Sequence, residues 1–326
     1  MNAETTTMNE QAVREPVLRE VEMHLYRPNA PTTGTITRSE RCTASGKAAG
    51  CVRHIEIDVS GTDLAGRCVP GQSIGVLAPG QDEKGRPHAV RLYSLASPTA
   101  GEDGKGQVIS TTVKRTIDEH WDNHTLFLGV ASNYLCDLQE GDKVQLTGPA
   151  GKRFVLPRDV DEHDYLFFAT GTGIAPFRGM ILDLIAAGCK SRITLIMGVP
   201  YATDLLYHSE LLSIAEEHPN FSYITAISRE QQEDVNDRLY VQDRLRTHKD
   251  QLLPQLSDER NLIYICGIAG MELGIFRQLA RDLPPRDIEQ YLRVDGEAMA
   301  NIDAWDRKML HKQIKTTRRI FLEVYA

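Results

Sequence analysis

The chain has 326 residues, 41% hydrophobic and 25% charged, which excludes collagen-like, coiled-coil and fully disordered chains and leaves room for two domains. With 37 basic against 45 acidic residues the formal net charge is −8, so a global basic field for nucleic acid is absent. No apolar run reaches the ~18–20 residues a membrane helix needs, and the polar, glutamate-rich start lacks the apolar core of a signal peptide.

The first 35 residues are polar, with a threonine triplet at 5–7 and Pro28 and Pro31. They read as a loose arm leading into a first strand near 34–39. Up to about Pro157 the pattern is short and strand-like: VRHIEIDV (52–59), SIGVLAP (73–79), VISTTVKR (108–115), TLFLGVA (125–131) and KVQLTGP (143–149). Gly, Pro and Asp separate these runs, which predicts an antiparallel β-barrel or sandwich. The texture then changes. YLFFAT (165–170), RITLIMGV (192–199), FSYITAIS (221–228), NLIYICG (261–267) and RIFLEVYA (319–326) alternate with helical patterns at 177–188, 205–217 and 238–248. Strands alternating with helices predict a parallel sheet, an α/β Rossmann-like domain, with the boundary near 157. Ligands on such sheets sit beyond the carboxyl ends of the strands.

Six cysteines, Cys42, Cys51, Cys68, Cys136, Cys189 and Cys266, are scattered without CxxC pairing or zinc spacing. This favours a reducing, cytoplasmic setting and predicts no metal centre.

Six motifs carry chemistry. Arg91-Leu92-Tyr93-Ser94 sets Arg91 and Tyr93 on one strand face and Leu92 and Ser94 on the other. The guanidinium can neutralise a pyrophosphate, the phenol can lie on a flat ring, and the hydroxyl can bond a ring nitrogen. An ordinary strand edge would look the same. Val130-Ala131-Ser132-Asn133 opens a helical leucine pattern, where backbone N–H groups and Ser132 suit a phosphate or simply cap the helix. Gly171-Thr172-Gly173 follows a strand and precedes a helix, so the backbone can approach a pyrophosphate. Pro176 stands where the last glycine of GxGxxG would be, and the match is incomplete. Ser228 and Arg229, followed by Arg238, Tyr240 and Gln242, can gather around a phosphomonoester, the group that separates NADP from NAD. They also read as a solvated loop. Cys266 at a strand end can touch a nicotinamide or be a small buried hydrophobe. Tyr325 can cover a flat cofactor or close a core strand.

In this order the motifs RLYS (91–94), GQSIGV (71–76), SNYLCDL (132–138), GTGIAPFR (171–178), SREQ (228–231), YVQDRL (240–245), CGIAGME (266–272) and EVY (323–325) resemble the plant-type ferredoxin–NADP⁺ reductase family. The resemblance covers residues 25–326. It implies an FAD-binding barrel over 36–157 and an NADP-binding domain over 158–326. Carried over by position, Arg91 meets the FAD pyrophosphate, Tyr93 and Tyr325 pack on the two flavin faces, and Ser94 lies near the reacting nitrogen. Val130, Ser132 and their neighbours bind the FAD phosphates, and Thr172 and Gly173 the NADP pyrophosphate. Ser228, Arg229, Arg238, Tyr240 and Gln242 surround the 2′-phosphate. Ser94, Cys266, Glu323 and Tyr325 form the catalytic set. The implied activity is hydride exchange between NADPH and flavin, coupled to ferredoxin or flavodoxin. An oxygenase reductase with another acceptor, or a non-catalytic redox-sensing flavoprotein, are the alternatives.

Three departures stand out. Ala326 follows the tyrosine that ends plant members of the family. The aromatic that covers the FAD adenine is replaced by TID (116–118), with Trp121 as a substitute. The stretch before Glu323 is longer and reads as a helix carrying Arg307, Lys308, Lys312, Lys315, Arg318 and Arg319, a docking patch for an acidic carrier or a solvated face.

Overall fold

The structure is a computed structural model and describes residues 15–48 and 50–325; the threonine triplet and Ala326 lie outside them. The first half contributes β1 (Thr32–Arg41), β2 (Val52–Asp58), β3 (Ser73–Leu77), β4 (Arg91–Ser94), β5 (Val108–Lys114), β6 (Ile117–Glu119), β7 (Leu126–Leu128), α1 (Val130–Asp137) and β8 (Lys143–Ala150). Six of these strands form one antiparallel sheet in the order β4-β3-β8-β1-β2-β5. Ile55, Ile57, Ile74, Val76, Val113 and Leu146 fill its core. The expected barrel does not close. The edge strands β4 and β5 meet at one bridge, Leu95 to Thr111, and at a 2.8 Å bond from Thr111 Oγ1 to the Ser94 carbonyl. β4 is four residues long, too short to build a ladder against the seven of β5.

Two further expectations change here. The run 125–131 adds no strand to the sheet: β7 pairs with β6 in a separate hairpin, and Val130 already belongs to α1. The arm is not loose in its described part. Arg19, His24 and Tyr26 donate backbone bonds to Leu156, Pro149 and Gly148, and residues 32–35 are already in β1.

The second half contributes β9 (Asp164–Thr170), α2 (Ile174–Ala186), β10 (Ile193–Val199), α3 (His208–Glu217), β11 (Phe221–Ile227), α4 (Asp243–Thr247), α5 (Lys249–Leu256), β12 (Asn261–Ile268), α6 (Met271–Asp282), α7 (Pro285–Ile288), β13 (Leu292–Val294), α8 (Gly296–Met299), β14 (Ile314–Thr316) and β15 (Ile320–Tyr325). Five strands pair in parallel in the order β11-β10-β9-β12-β15. Their continuous apolar runs follow from burial on both faces. In β9, Tyr165, Phe167 and Ala169 join one core and Leu166 and Phe168 the other. The helical expectation at 238–248 shrinks to α4, because 238–240 is an extended segment in which Leu239 N–H bonds the Ile227 carbonyl. The helix expected from 205 begins at His208, after Tyr207 in a left-handed conformation. The expected basic helix is absent: 307–309 is one 3₁₀ turn, β14 pairs with β13, and Arg319 is buried.

α2 joins the two halves. The Arg178 guanidinium, itself buried, lies 2.7 Å from Glu102 and 2.8 Å from Glu210, and donates to the Ala96 carbonyl. A β-carbon at Gly179 would collide with the Ser97 carbonyl, so the helix backbone itself rests on the first half. Asp183 accepts from the Thr99 N–H and hydroxyl at 2.7 and 2.6 Å. Burial opposes the charge on Arg178, yet its bonds to Glu210 and Glu102 raise its pKa further. Arg178→Met leaves two carboxylates without their partner and is expected to cost about 3–5 kcal/mol in urea unfolding; a loss under about 1 kcal/mol would remove this residue as the tie.

Candidate functional site

The carboxyl ends of β9, β12 and β15 converge. β9 runs into the Gly171–Gly173 3₁₀ turn, where Gly171 has φ of 51°. A β-carbon at Gly173 would strike the Cys266 carbonyl and one at Gly267 would strike Thr170 Oγ1, so both positions form a cradle only glycine permits. Thr170 Oγ1 accepts from the Ile268 N–H at 2.9 Å and contacts Met271 Sδ at 3.3 Å, which locks the two strand ends together.

Four expected residues meet here. Cys266 pairs in register with Glu323. The Thr172 hydroxyl lies 2.7 Å from the Tyr325 hydroxyl. Cys266 is buried, and burial followed by the Glu323 charge pushes its thiol well up, so it presents a neutral S–H rather than a thiolate. Burial also raises Tyr325 and raises the Glu323 carboxyl to about 7. Glu323 Oε2 is buried and has no hydrogen-bond partner among the described residues. An orphaned carboxylate oxygen beside a glycine cradle suits a ligand that brings a donor, as a nicotinamide carboxamide does. On the outer side of β15 a cavity of about 490 Å³ is lined by Glu272, Arg307, His311, Thr316 and Glu323.

The phosphomonoester group also assembles. The Leu239 bond to Ile227 lays 238–240 beside the end of β11, next to Ser228. Arg229, Arg238 and Tyr240 are exposed, and the Arg229 guanidinium sits 5.7 Å from the Tyr201 ring centroid. The neighbouring acid, Glu230, is turned away and accepts from the Ala202 N–H. Gln242 is the exception: its side chain lies against Gly274 of α6.

On the first sheet, Ser73 of β3 pairs with Ser94, whose hydroxyl has no hydrogen-bond partner among the described residues. Arg91 is exposed, its guanidinium bonding only its neighbour's carbonyl at 3.4 Å, and Leu92 is 62% exposed. Tyr93 packs on the core, and burial raises its phenol to about 12. An unpaired guanidinium, a half-buried phenol and an exposed leucine fit an anionic, flat ligand such as FAD. Ser132 is otherwise engaged: its hydroxyl accepts from Thr116 N–H at 3.2 Å and donates to the Gly129 carbonyl at 3.1 Å. The first backbone N–H groups of α1, beside the exposed Val130, have no partner four residues earlier within the helix. Trp121 is 94% exposed at the tip of the β6–β7 hairpin. Thr170 and Met271 stand within the stretches YLFFAT and CGIAGME, but sequence reasoning gave them no task, whereas in the fold they hold the cradle.

An oxidoreductase NAD-binding domain model matches residues 167–275. With the two-sheet fold it defines a nucleotide-binding oxidoreductase. The chain is 39% identical over 262 residues to ferredoxin–NADP reductase of Spirulina sp, covering 78% of this chain and 88% of that protein. It is 35% identical over 322 residues to the chloroplastic root-type isozyme of Nicotiana tabacum, covering 94% and 79%. The solved ferredoxin-NADP⁺ reductase of Plasmodium falciparum has the same fold, with a TM-score of 0.66 at 24% identity over 82% of this chain and 96% of that one. The chain belongs to the ferredoxin–NADP reductase family.

Glu323 makes a pH-dependent contribution. Its carboxyl ionises at 4.5 in an unfolded chain and at about 7 in the fold. Between those values the native state keeps a proton that the unfolded state has lost. The contribution is complete below 4.5 and is lost as pH rises through 7. Urea unfolding of the wild type and Glu323→Gln should show their stability difference shifting by about 2–3 kcal/mol against the wild type across this window. A difference independent of pH would place the carboxylate in water.

Proposed function

We propose that the protein is an FAD-dependent reductase that exchanges a hydride with NADPH and passes single electrons to or from ferredoxin or flavodoxin. The observation that carries this reading is the meeting of Thr172, Cys266, Glu323 and Tyr325 at the strand ends, with an orphaned carboxylate oxygen among them. Bound FAD supplies both two-electron exchange with a nicotinamide and one-electron exchange with a carrier.

Each residue then has a task. Arg91 would neutralise the FAD pyrophosphate, Tyr93 would cover one ring face, Tyr325 would cover the other until the nicotinamide displaces it, and Ser94 would donate toward the reacting nitrogen. The start of α1, from Val130, receives the FAD phosphates. Thr172 and Gly173 face the nicotinamide nucleotide's pyrophosphate, and the Thr172 hydroxyl steadies Tyr325. Ser228, Arg229, Arg238 and Tyr240 bind a 2′-phosphate, with Gln242 bracing α6 behind them. Glu323, titrating near neutrality, holds the nicotinamide amide and can keep or release a proton at its carboxyl. Cys266 supplies an apolar, neutral contact to the ring. Placing two rings face to face is an orientation effect, which can supply a large share of the barrier lowering. The free thiols among the described residues agree with a reducing compartment such as the cytoplasm, and no helix is long and apolar enough to cross a membrane.

The carrier's surface follows from charge. Arg307, Lys308, Lys312 and Lys315 are exposed on the segments that precede β15, and Arg307 also lines the cavity. Lys315 lies directly opposite Arg293 in the β13–β14 ladder, and neither has an acidic partner among the described residues. Like charges held opposite each other await an anion, here an acidic carrier protein. An acceptor screen tests the function: NADPH oxidation is followed with ferredoxin, flavodoxin and artificial dyes, then repeated with NADH. Turnover with dyes but neither carrier would favour an oxygenase reductase. Lys312→Glu with Lys315→Glu is expected to lower carrier kcat/KM roughly tenfold or more at low salt while sparing dye reduction. Unchanged carrier kinetics would move the docking surface elsewhere.

A further inference from the structure

A second constellation of chemistry-bearing side chains lies at the seam between the sheets. In β2 the alternation sends Ile55 and Ile57 into the first core and leaves His54 and Glu56 together on the opposite face. Glu102, from the connection between β4 and β5, reaches the same point. His54 Nε2 lies 3.5 Å from Glu56 Oε1 and 3.7 Å from Glu102 Oε1. The imidazole is 4% exposed, and its Nδ1 is fixed 2.9 Å from the Tyr207 hydroxyl, which aims Nε2 between the two carboxylates.

These separations exceed a hydrogen bond. They lie near, the longer slightly above, the roughly 3.3–3.6 Å between neighbouring ligand atoms on a tetrahedral cation bound at ~2.0–2.2 Å, and the ligand atoms of all three side chains lie within 4.8 Å of one another. Charge around the point is unbalanced. Glu56 accepts from Arg38 at 3.1 Å, and Arg38 pairs with Glu40 at 2.6 Å. Glu102 accepts from Arg178 and from the Ser110 hydroxyl at 2.7 and 2.6 Å, and Arg178 reaches on to Glu210. Four carboxylates, Glu40, Glu56, Glu102 and Glu210, thus share two guanidiniums.

We propose that His54, Glu56 and Glu102 form a binding site for one divalent cation of the zinc class, which enters in competition with Arg38 and Arg178. One imidazole nitrogen with two carboxylate oxygens is a zinc donor set, whereas magnesium prefers oxygen ligands in an octahedron. Because the guanidiniums already hold both carboxylates, the cation is an exchangeable effector rather than a resident structural metal. Its place on the Arg178 tie makes the join between the two sheets responsive to it. The sequence hid this site: His54 and Glu56 are separated by one residue, and Glu102 is distant in the chain.

Calorimetric titration of the FAD-loaded protein with zinc chloride, and separately with magnesium chloride, tests the site independently of any activity. One zinc per chain and no magnesium binding are expected. His54→Gln is expected to weaken zinc binding roughly tenfold or more. Glu56→Gln, partly exposed, should also weaken it and serves if the buried replacement fails to fold. Arg38→Gln, a surface change that removes a competitor, should tighten binding about fivefold. Absence of zinc binding, equal magnesium binding, or zinc affinity unchanged in all three variants overturns the proposal; the last would assign the zinc to other histidines or cysteines.

Discussion

The molecule depends on one buried guanidinium. Arg178 projects from the helix that follows the Gly171–Gly173 turn and ties it to Glu102 and the Ala96 carbonyl of the first half and to Glu210 of α3. Gly179 lets the same helix rest directly on Ser97, just after β4, which brings the Gly171–Gly173 turn close to the first sheet. A charge this buried is tolerated only because both neighbours are carboxylates. The chemistry at the strand ends inherits its geometry from this join.

The site itself is built from backbone constraints, with Cys266 buried, Glu323 half-buried and Tyr325 exposed. Glycines at 173 and 267 bring β9 and β12 within contact, and Thr170 fills the remaining gap with one hydroxyl. Burial then acts in the same direction on Cys266, Glu323 and Tyr325, favouring the neutral form of each. Only for Glu323 does this bring the titration near neutrality, which separates its task from that of its neighbours.

Much of this was legible from residue order. The continuous apolar runs identified the parallel strands because burial on both faces leaves no polar alternation, and the Gly171–Gly173 turn stands where the residues placed it, between a strand and a helix. What failed did so for identifiable reasons. TLFLGVA has strand propensity, yet Gly129 ends β7 and starts α1, so the run splits between a hairpin and a helix. The basic stretch before β15 has charges at helical intervals, but β13 captures Ile314–Thr316 as a strand partner, a tertiary contact invisible to local pattern. The barrel stayed open because closure depends on the length of β4. Ser132, read as a phosphate ligand or a helix cap, accepts from the Thr116 N–H and donates to the Gly129 carbonyl, contacts that residue order does not show.

The central claim is that the strand-end pocket delivers NADPH electrons to a flavin held by β4 and α1. Anaerobic stopped-flow mixing of the FAD-loaded protein with NADPH tests it most directly. The account predicts bleaching of the oxidised flavin band at a rate that saturates with NADPH, with NADH far less effective. A flavin band that NADPH leaves unchanged, or that NADH bleaches equally well, would contradict it.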